Sequence, residues 1–169
     1  MPSDKITIER IALLHPKLRD EASAIYSEVV EQLGDRVMCR FTHTLRTFAE
    51  QDKLFQIGRS RAGRIVTNAR AGRSYHNYGL AIDIVLMQDK NNDWVYETIS
   101  YDEKADVDRD GKRDWLEVVE IFKQYGWTWG GNWKFRDAPH FEKTLGYSVT
   151  QLLDLHTKGK VDKNGYVLI

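Results

Sequence analysis

The sequence is short of several things, and each shortage removes a class of protein. Among its 169 residues there is one cysteine, Cys39, so no disulfide can form within the chain. No stretch approaches the roughly 20 apolar residues of a membrane span, so insertion into a bilayer is not expected. Net charge is also missing: Lys and Arg number 25, and so do Asp and Glu. No overall field therefore draws the molecule toward nucleic acid or an anionic membrane. Internal repeats, low-complexity tracts and linkers are absent, and Met1 to Arg10 lacks the apolar segment of an export signal. The expectation is a protein made and kept in the cytoplasm unless another device releases it.

What remains is a normal globular mixture, 41% hydrophobic and 30% charged. A chain of this length can bury roughly 70% of the surface its unfolded form exposes, enough for one core. A single domain over 1–169 is expected, as a monomer. Charge is local: basic residues gather between Arg59 and Arg73, and acids between Asp102 and Asp114.

Periodicity supplies the elements. Leu18, Ala22, Ile25, Tyr26, Val29, Val30 and Leu33 fall on one helical face, with Gly34 as a stop. Val37, Cys39 and Phe41 alternate with polar or mixed neighbours, as a strand does. Thr47 and Glu50 have the spacing of a capping box opening a short helix. Residues 58–78, with three glycines and five arginines, read as a long loop. Leu80 to Leu86 reads as a buried strand carrying one acid, Asp83. Trp115, Val118, Val119 and Phe122 mark another amphipathic helix, ending near Gly126. Short strands are expected between Trp127 and Phe141, and Ser148 with Gln151 would cap a last helix. The class is α+β: a small antiparallel sheet with flanking helices.

A carboxylate inside an apolar run costs several kcal/mol unless it is paired, hydrogen-bonded or metal-bound, so Asp83 needs a partner. His76 precedes it at the end of the glycine-containing loop. Downstream, Asp137-Ala138-Pro139-His140 supplies a second histidine and an acid three residues before it, on a turn that Pro139 stiffens. Two histidines and one carboxylate make a catalytic zinc set with the fourth position open to water, leaving the extra acid free to act on that water.

Ser74, His76, Gly79, Ala81 and Asp83 together spell Ser-x-His-x-x-Gly-x-Ala-x-Asp, and Asp137 with His140 spells acid-x-x-His. In these motifs the chain resembles the D-alanyl-D-alanine and L-alanyl-D-glutamate metallopeptidases of peptidoglycan, a family of wall carboxypeptidases, dipeptidases and phage endolysins. The resemblance runs from about Arg46 to Glu142. Val66-Thr67-Asn68-Ala69 and Trp127 to Trp133 look like its endopeptidase branch, which cuts L-Ala-D-Glu bonds. The resemblance implies zinc on His76, Asp83 and His140, Asp137 as general base, Arg46 as the cation for a substrate carboxylate or oxyanion, and Ser74 as a substrate contact. Some members carry Glu at the place of Asp137, which changes reach but not chemistry. His15, His43 and His156 match nothing in the pattern and are expected to be structural or on the surface.

A second motif is independent of the first. From Asp106 to Glu117 the chain fits the twelve-residue EF-hand calcium loop, with Asp106, Asp108, Asp110, Asp114 and Glu117 at positions 1, 3, 5, 9 and 12, Gly111 at 6, and the Lys112 carbonyl at 7. No partner loop exists, and Arg113 stands where paired loops carry an aliphatic residue. A solitary calcium site inserted at 106–117, regulatory or stabilising, is expected. The leading expectation is therefore a zinc-dependent phage endolysin cutting stem peptides, held in the host cytoplasm until release and activated by calcium. The alternatives are a D-alanyl-D-alanine carboxypeptidase, a bacterial autolysin, or a non-catalytic wall-binding module, which the retained Asp137 argues against.

Overall fold

The computed structural model describes residues 4–169. The helices are α1 (Lys5–Ala12), α2 (Arg19–Leu33), α3 (Phe48–Gln56), α4 (Asp114–Gln124) and α5 (Val149–Thr157). The strands are β1 (Val37–His43), β2 (Ala81–Gln88), β3 (Thr98–Ser100), β4 (Thr128–Trp129) and β5 (His140–Glu142). All strand pairs are antiparallel, in the order β1-β2-β5-β4. β2 is the centre: β1 runs along one edge, while β5 and β3 share the other, at Ala81–Asp83 and Leu86–Gln88 respectively.

The expected elements stand where the patterns put them. Gly34 ends α2 with φ of 61°, a left-handed value that glycine adopts without strain. Thr47 and Glu50 form the reciprocal capping box of α3, and Ser148 with Gln151 does the same for α5. Two elements were not anticipated, α1 and β3. Helix α1 reads Lys-Ile-Thr-Ile-Glu-Arg-Ile-Ala, whose opening alternates like a strand. Its geometry is set instead by Asp4, whose carboxylate caps the helix by accepting from the Thr7 N–H and hydroxyl and from Arg40 through two bonds of 3.0 Å. The long loop also holds one 3-10 turn, Tyr75–Tyr78.

Helices α2 and α4 pack together against one face of the sheet. Phe41, Phe122 and Phe141 meet at the centre, the last two stacked with centroids 4.1 Å apart. Alternation then decides the other face. Ile82, Ile84 and Leu86 of β2 enter the core, so Asp83 must point the opposite way. In β5 Phe141 enters the core, so His140 joins Asp83. No helix is long and apolar enough to cross a membrane among the described residues.

Candidate metal centre and active site

Register brings the first two candidate ligands together: Asp83 and His140 are direct cross-strand partners in the β2–β5 pair. The third arrives on the 3-10 turn. The Ser74 hydroxyl caps that turn by accepting from the His76 N–H at 3.3 Å, and the Asn77 side chain closes it by accepting from Ser74 N and Gly72 N. Gly79 ends it with φ of 67°, packed so closely that a Cβ there would lie 2.6 Å from His15 N. Only glycine suits the position, which explains its place in the motif.

The result is a convergence of three ligand atoms. His76 Nε2 lies 3.1 Å and His140 Nδ1 3.0 Å from the same oxygen of Asp83, and the two nitrogens are 3.2 Å apart. The outer nitrogens settle what the inner ones present. His76 Nδ1 donates to the Thr44 carbonyl at 2.8 Å, and His140 Nε2 donates to the Glu142 carboxylate at 3.1 Å. In neutral rings both inner nitrogens therefore carry lone pairs, aimed with the carboxylate at one point. That arrangement is repulsive without a cation, and it is the donor set of two imidazoles and one carboxylate that zinc takes. The residues fit the metal.

The electrostatics agree. Burial disfavours charge on Asp83, but the two histidines overcome it and hold its carboxyl well below the usual range. Burial likewise lowers His140, but hydrogen bonds and charge from Asp83 and Glu142 win and raise it to about 9. The pocket favours positive charge at this point.

Around the trio lies a cleft of about 700 Å³ whose lining includes Arg46, Ser74, Tyr101, Trp133 and Asp137. Asp137 is raised above the ordinary aspartate value by burial first and by the Asp83 charge second, with His140, His76 and Arg46 pulling back. Its turn is anchored on Gly130, whose carbonyl accepts from both Trp133 N and Asp137 N, and where a Cβ would lie 2.6 Å from the Asp137 carbonyl. Arg46 sits 3.7 Å from the second Asp83 oxygen and donates to Gln51 at 3.1 Å. Its backbone is tied to His76, Arg46 N donating to the His76 carbonyl at 2.9 Å. Ser74 lines the cleft while capping the turn.

Sequence reasoning missed two participants. Gln51 is fully buried, holds Arg46 and donates to the Ala69 carbonyl at 2.8 Å, so it positions both the cation and the Val66–Ala69 segment. Glu142 orients His140. A polar residue on the inner side of α3, and an acid two places beyond a ligand on the same strand face, were the available signals. The remaining histidines do not join the trio: His15 is buried and donates to the Val167 carbonyl, His156 packs on Phe48, and His43 lines the cleft.

The acidic loop is also drawn together. Oxygens of Asp106, Asp108 and Asp114 lie within 4.8 Å of one another, as do those of Asp108, Asp110 and Glu117. The Asp106 carboxylate accepts from Gly111 N, and Asp114 accepts from Val107 N. Lys112 reaches Asp110 and Glu117 with its ammonium, at 3.6 and 3.5 Å. Asp114 and Glu117 are buried, and one oxygen of Glu117 has no hydrogen-bond partner among the described residues. Burial and the neighbouring acids raise Asp114 to about 6 against its bond from Val107.

A peptidase M15 family model described as D-alanyl-D-alanine carboxypeptidase matches residues 67–143, which span both candidate ligand motifs. The chain is 45% identical over 130 residues to the peptidoglycan L-alanyl-D-glutamate endopeptidase CwlK of Bacillus subtilis, covering 76% of this chain and 72% of that protein. The L-Ala D-Glu endopeptidase ChiX of Serratia marcescens has the same fold, with a TM-score of 0.52 at 23% identity over 83% of this chain and 88% of that one. With that degree of identity to CwlK over most of both chains, the protein belongs to the M15 family of metallopeptidases.

Proposed function

We propose that this protein is a zinc-dependent endopeptidase that cuts the L-alanyl-D-glutamate bond of peptidoglycan stem peptides. The observation that carries the reading is the convergence of His76, Asp83 and His140 beside a carboxylate whose pKa is raised. The choice of bond rests on the likeness to CwlK. His76 Nε2, an Asp83 oxygen and His140 Nδ1 would hold the metal. When bound, zinc supplies Lewis-acid activation of a water molecule and of the scissile carbonyl.

The chain's own residues do the rest. Asp137 takes the proton from the water and hands it to the departing amine, and its raised pKa brings it nearer the working pH, as a general base requires. Arg46, steadied by Gln51, offers a guanidinium fork to a substrate carboxylate or to the developing oxyanion. The Ser74 hydroxyl faces the same cleft and contacts the peptide. The loop from Asp106 to Glu117 holds calcium in this reading, supported by its spacing, the raised Asp114 and the unpartnered Glu117 oxygen. It lies one step from the catalytic turn: Asp114 N donates to the Ala105 carbonyl, and Glu103 pairs with Arg136, next to Asp137. Calcium would thereby order the turn and activate the enzyme.

Two further readings have support of their own. The family description favours a D-alanyl-D-alanine carboxypeptidase. Both named relatives are bacterial proteins, which favours an autolysin over a phage endolysin waiting in the host cytoplasm, and a lysis cassette around the gene would decide for the endolysin. Mass spectrometry of digested muropeptides separates the reactions. The expected products are muramyl-L-alanine and peptides beginning with D-Glu, absent with a chelator and reduced at least about 100-fold in Asp137→Asn. Release of terminal D-alanine alone would establish the carboxypeptidase, and no product at all would leave a wall-binding module.

A further inference from the structure

Two aromatic side chains that line the cleft, Tyr101 and Trp133, and a third on the same loop as Trp133, Phe135, have no part in this chemistry. Tyr101 and Trp133 line the cleft yet remain 61% and 37% exposed, and Phe135, two residues beyond Trp133, is 80% exposed. Rings left in water forgo the main favourable term of folding, so a cluster of them beside an active site calls for an occupant. They are also fixed in place. The twin bonds to the Gly130 carbonyl close the loop that carries Trp133 and Phe135. The Trp133 ring stands 5.1 Å from that of His140, and Tyr101 tilts against Trp115 at 6.1 Å. An ion pair between Glu103 and Arg136 fastens the two segments to each other.

We propose that these rings form a subsite for the glycan strand of peptidoglycan, stacking on its hexosamine rings. The inference rests on the endopeptidase reading above. In peptidoglycan the amine of L-alanine is acylated by the lactyl group of a hexosamine, so a cut between L-Ala and D-Glu falls one residue from a sugar. A pyranose presents a flat face of C–H groups and a polar edge. Aromatic faces take the first, and the charges interleaved with them, Lys134 and Arg136 around Phe135 and Glu103 near Tyr101, can hydrogen-bond the second. A protein partner seated on the same rings would cover the cleft mouth, whereas a sugar leads into it. Binding energy gained there is remote from the reacting bond, so it favours the polymer without changing the chemistry.

The test uses zinc-loaded protein and two substrates: L-alanyl-γ-D-glutamyl-L-lysine free, and the same tripeptide carried on the N-acetylglucosamine–N-acetylmuramic acid disaccharide. The disaccharide form should have the higher kcat/KM, and Phe135→Ala and Tyr101→Ala should each lose roughly 3- to 10-fold on it. The rate of Phe135→Ala on the free tripeptide should stay within about twofold, and Phe135→Trp should keep the preference. Peptide-free glycan strands, titrated by tryptophan fluorescence, should bind the parent protein more tightly than Phe135→Ala. Equal kcat/KM on the two substrates, equal losses on both in Phe135→Ala, or glycan binding indifferent to Phe135 would each overturn the subsite. If neither substrate is cut while glycan binds in a Phe135-dependent way, the endopeptidase reading fails and the subsite stands.

Discussion

Replacing Asp114 by Asn should reverse its effect on stability according to whether calcium is present. Asp114 is buried at the start of α4, and burial with the charges of Asp108, Glu117 and Asp106 raises its pKa from 3.8 to about 6. A raised folded pKa stabilises only below the unfolded value, and that contribution is lost as pH rises through about 6. A shift of about two units corresponds to about 3 kcal/mol. The N-terminal turn of α4 returns about 0.5–1 kcal/mol to the charged form, which leaves about 2 kcal/mol of strain at pH 7.5 without calcium. Asparagine keeps an oxygen for the Val107 N–H and removes the charge. For a chain of this size the calcium-free variant should therefore melt about 4–8 °C above the calcium-free parent at pH 7.5, and near its level at pH 4.5. Calcium should raise the parent well above the variant, because the ion needs the charge that asparagine lacks. Scanning calorimetry with chelator and with millimolar calcium, at both pH values, measures all four differences. A calcium-free variant less stable than the parent at pH 7.5, or a parent whose melting temperature ignores calcium, would refute the reasoning.

Two other outcomes are expected. Glu142→Ala removes the acceptor that orients His140, so zinc affinity measured by chelator competition should fall roughly 10- to 100-fold, with Glu142→Gln losing less; unchanged affinity would show that Glu142 does not position the ligand. Asp4 is held below its ordinary pKa because its bonds with Arg40 and Thr7 outweigh the opposing effect of burial, so its contribution exists above about pH 4 and is lost as pH falls through the folded value. Asp4→Asn should cost about 2–4 kcal/mol at pH 7 by denaturant titration and progressively less below pH 4, and a cost that stays constant with pH would count against the ion pair.

Where local rules coincide with tertiary structure, the elements could be read from residues. The capping residues of α3 and α5, Gly34 and the apolar stripe of α2 each act within one or two turns, and each is where its pattern puts it. Asp83 stood out as the one acid in the apolar run of β2, and it lies on the face that carries the candidate site and not in the core. Helix α1 was hidden because its β-branched alternation resembles a strand, while its cap, Asp4, is stabilised by Arg40 of β1, far away in sequence. Strand β3 has three residues and exists only as an addition to β2. The candidate ligands were legible because a metal site constrains the types and spacing of the residues that can form it. Gln51 and Glu142 were not, because a glutamine in a helix and a glutamate in a strand become informative only when their partners are known.

The register of β2 and β5 joins fold to chemistry. Side chains alternate strictly across a strand, so a slip of β5 by one residue against β2 would turn His140 toward Phe122 and deliver Phe141 to the cleft, leaving Asp83 without its partner. Only three pairs hold this register, Ala81 with Glu142, Ile82 with Phe141 and Asp83 with His140. On the far side β5 has just the two residues of β4 for support. A three-residue strand is a weak clamp, and of its three pairs one is a core contact and another joins two candidate metal ligands. A cation held by Asp83 and His140 would cross-link the two strands at the end of their pairing, while the stacked Phe122 and Phe141 secure the opposite face. A metal bound there would therefore also brace the sheet at this edge. The carboxylate proposed as the general base shares in it, since the turn that carries Asp137 runs directly into β5 through Pro139, whose carbonyl accepts from Ile84 N of β2. Zinc would fix the position of the base as well as its own coordination, because both depend on the same three pairs of residues.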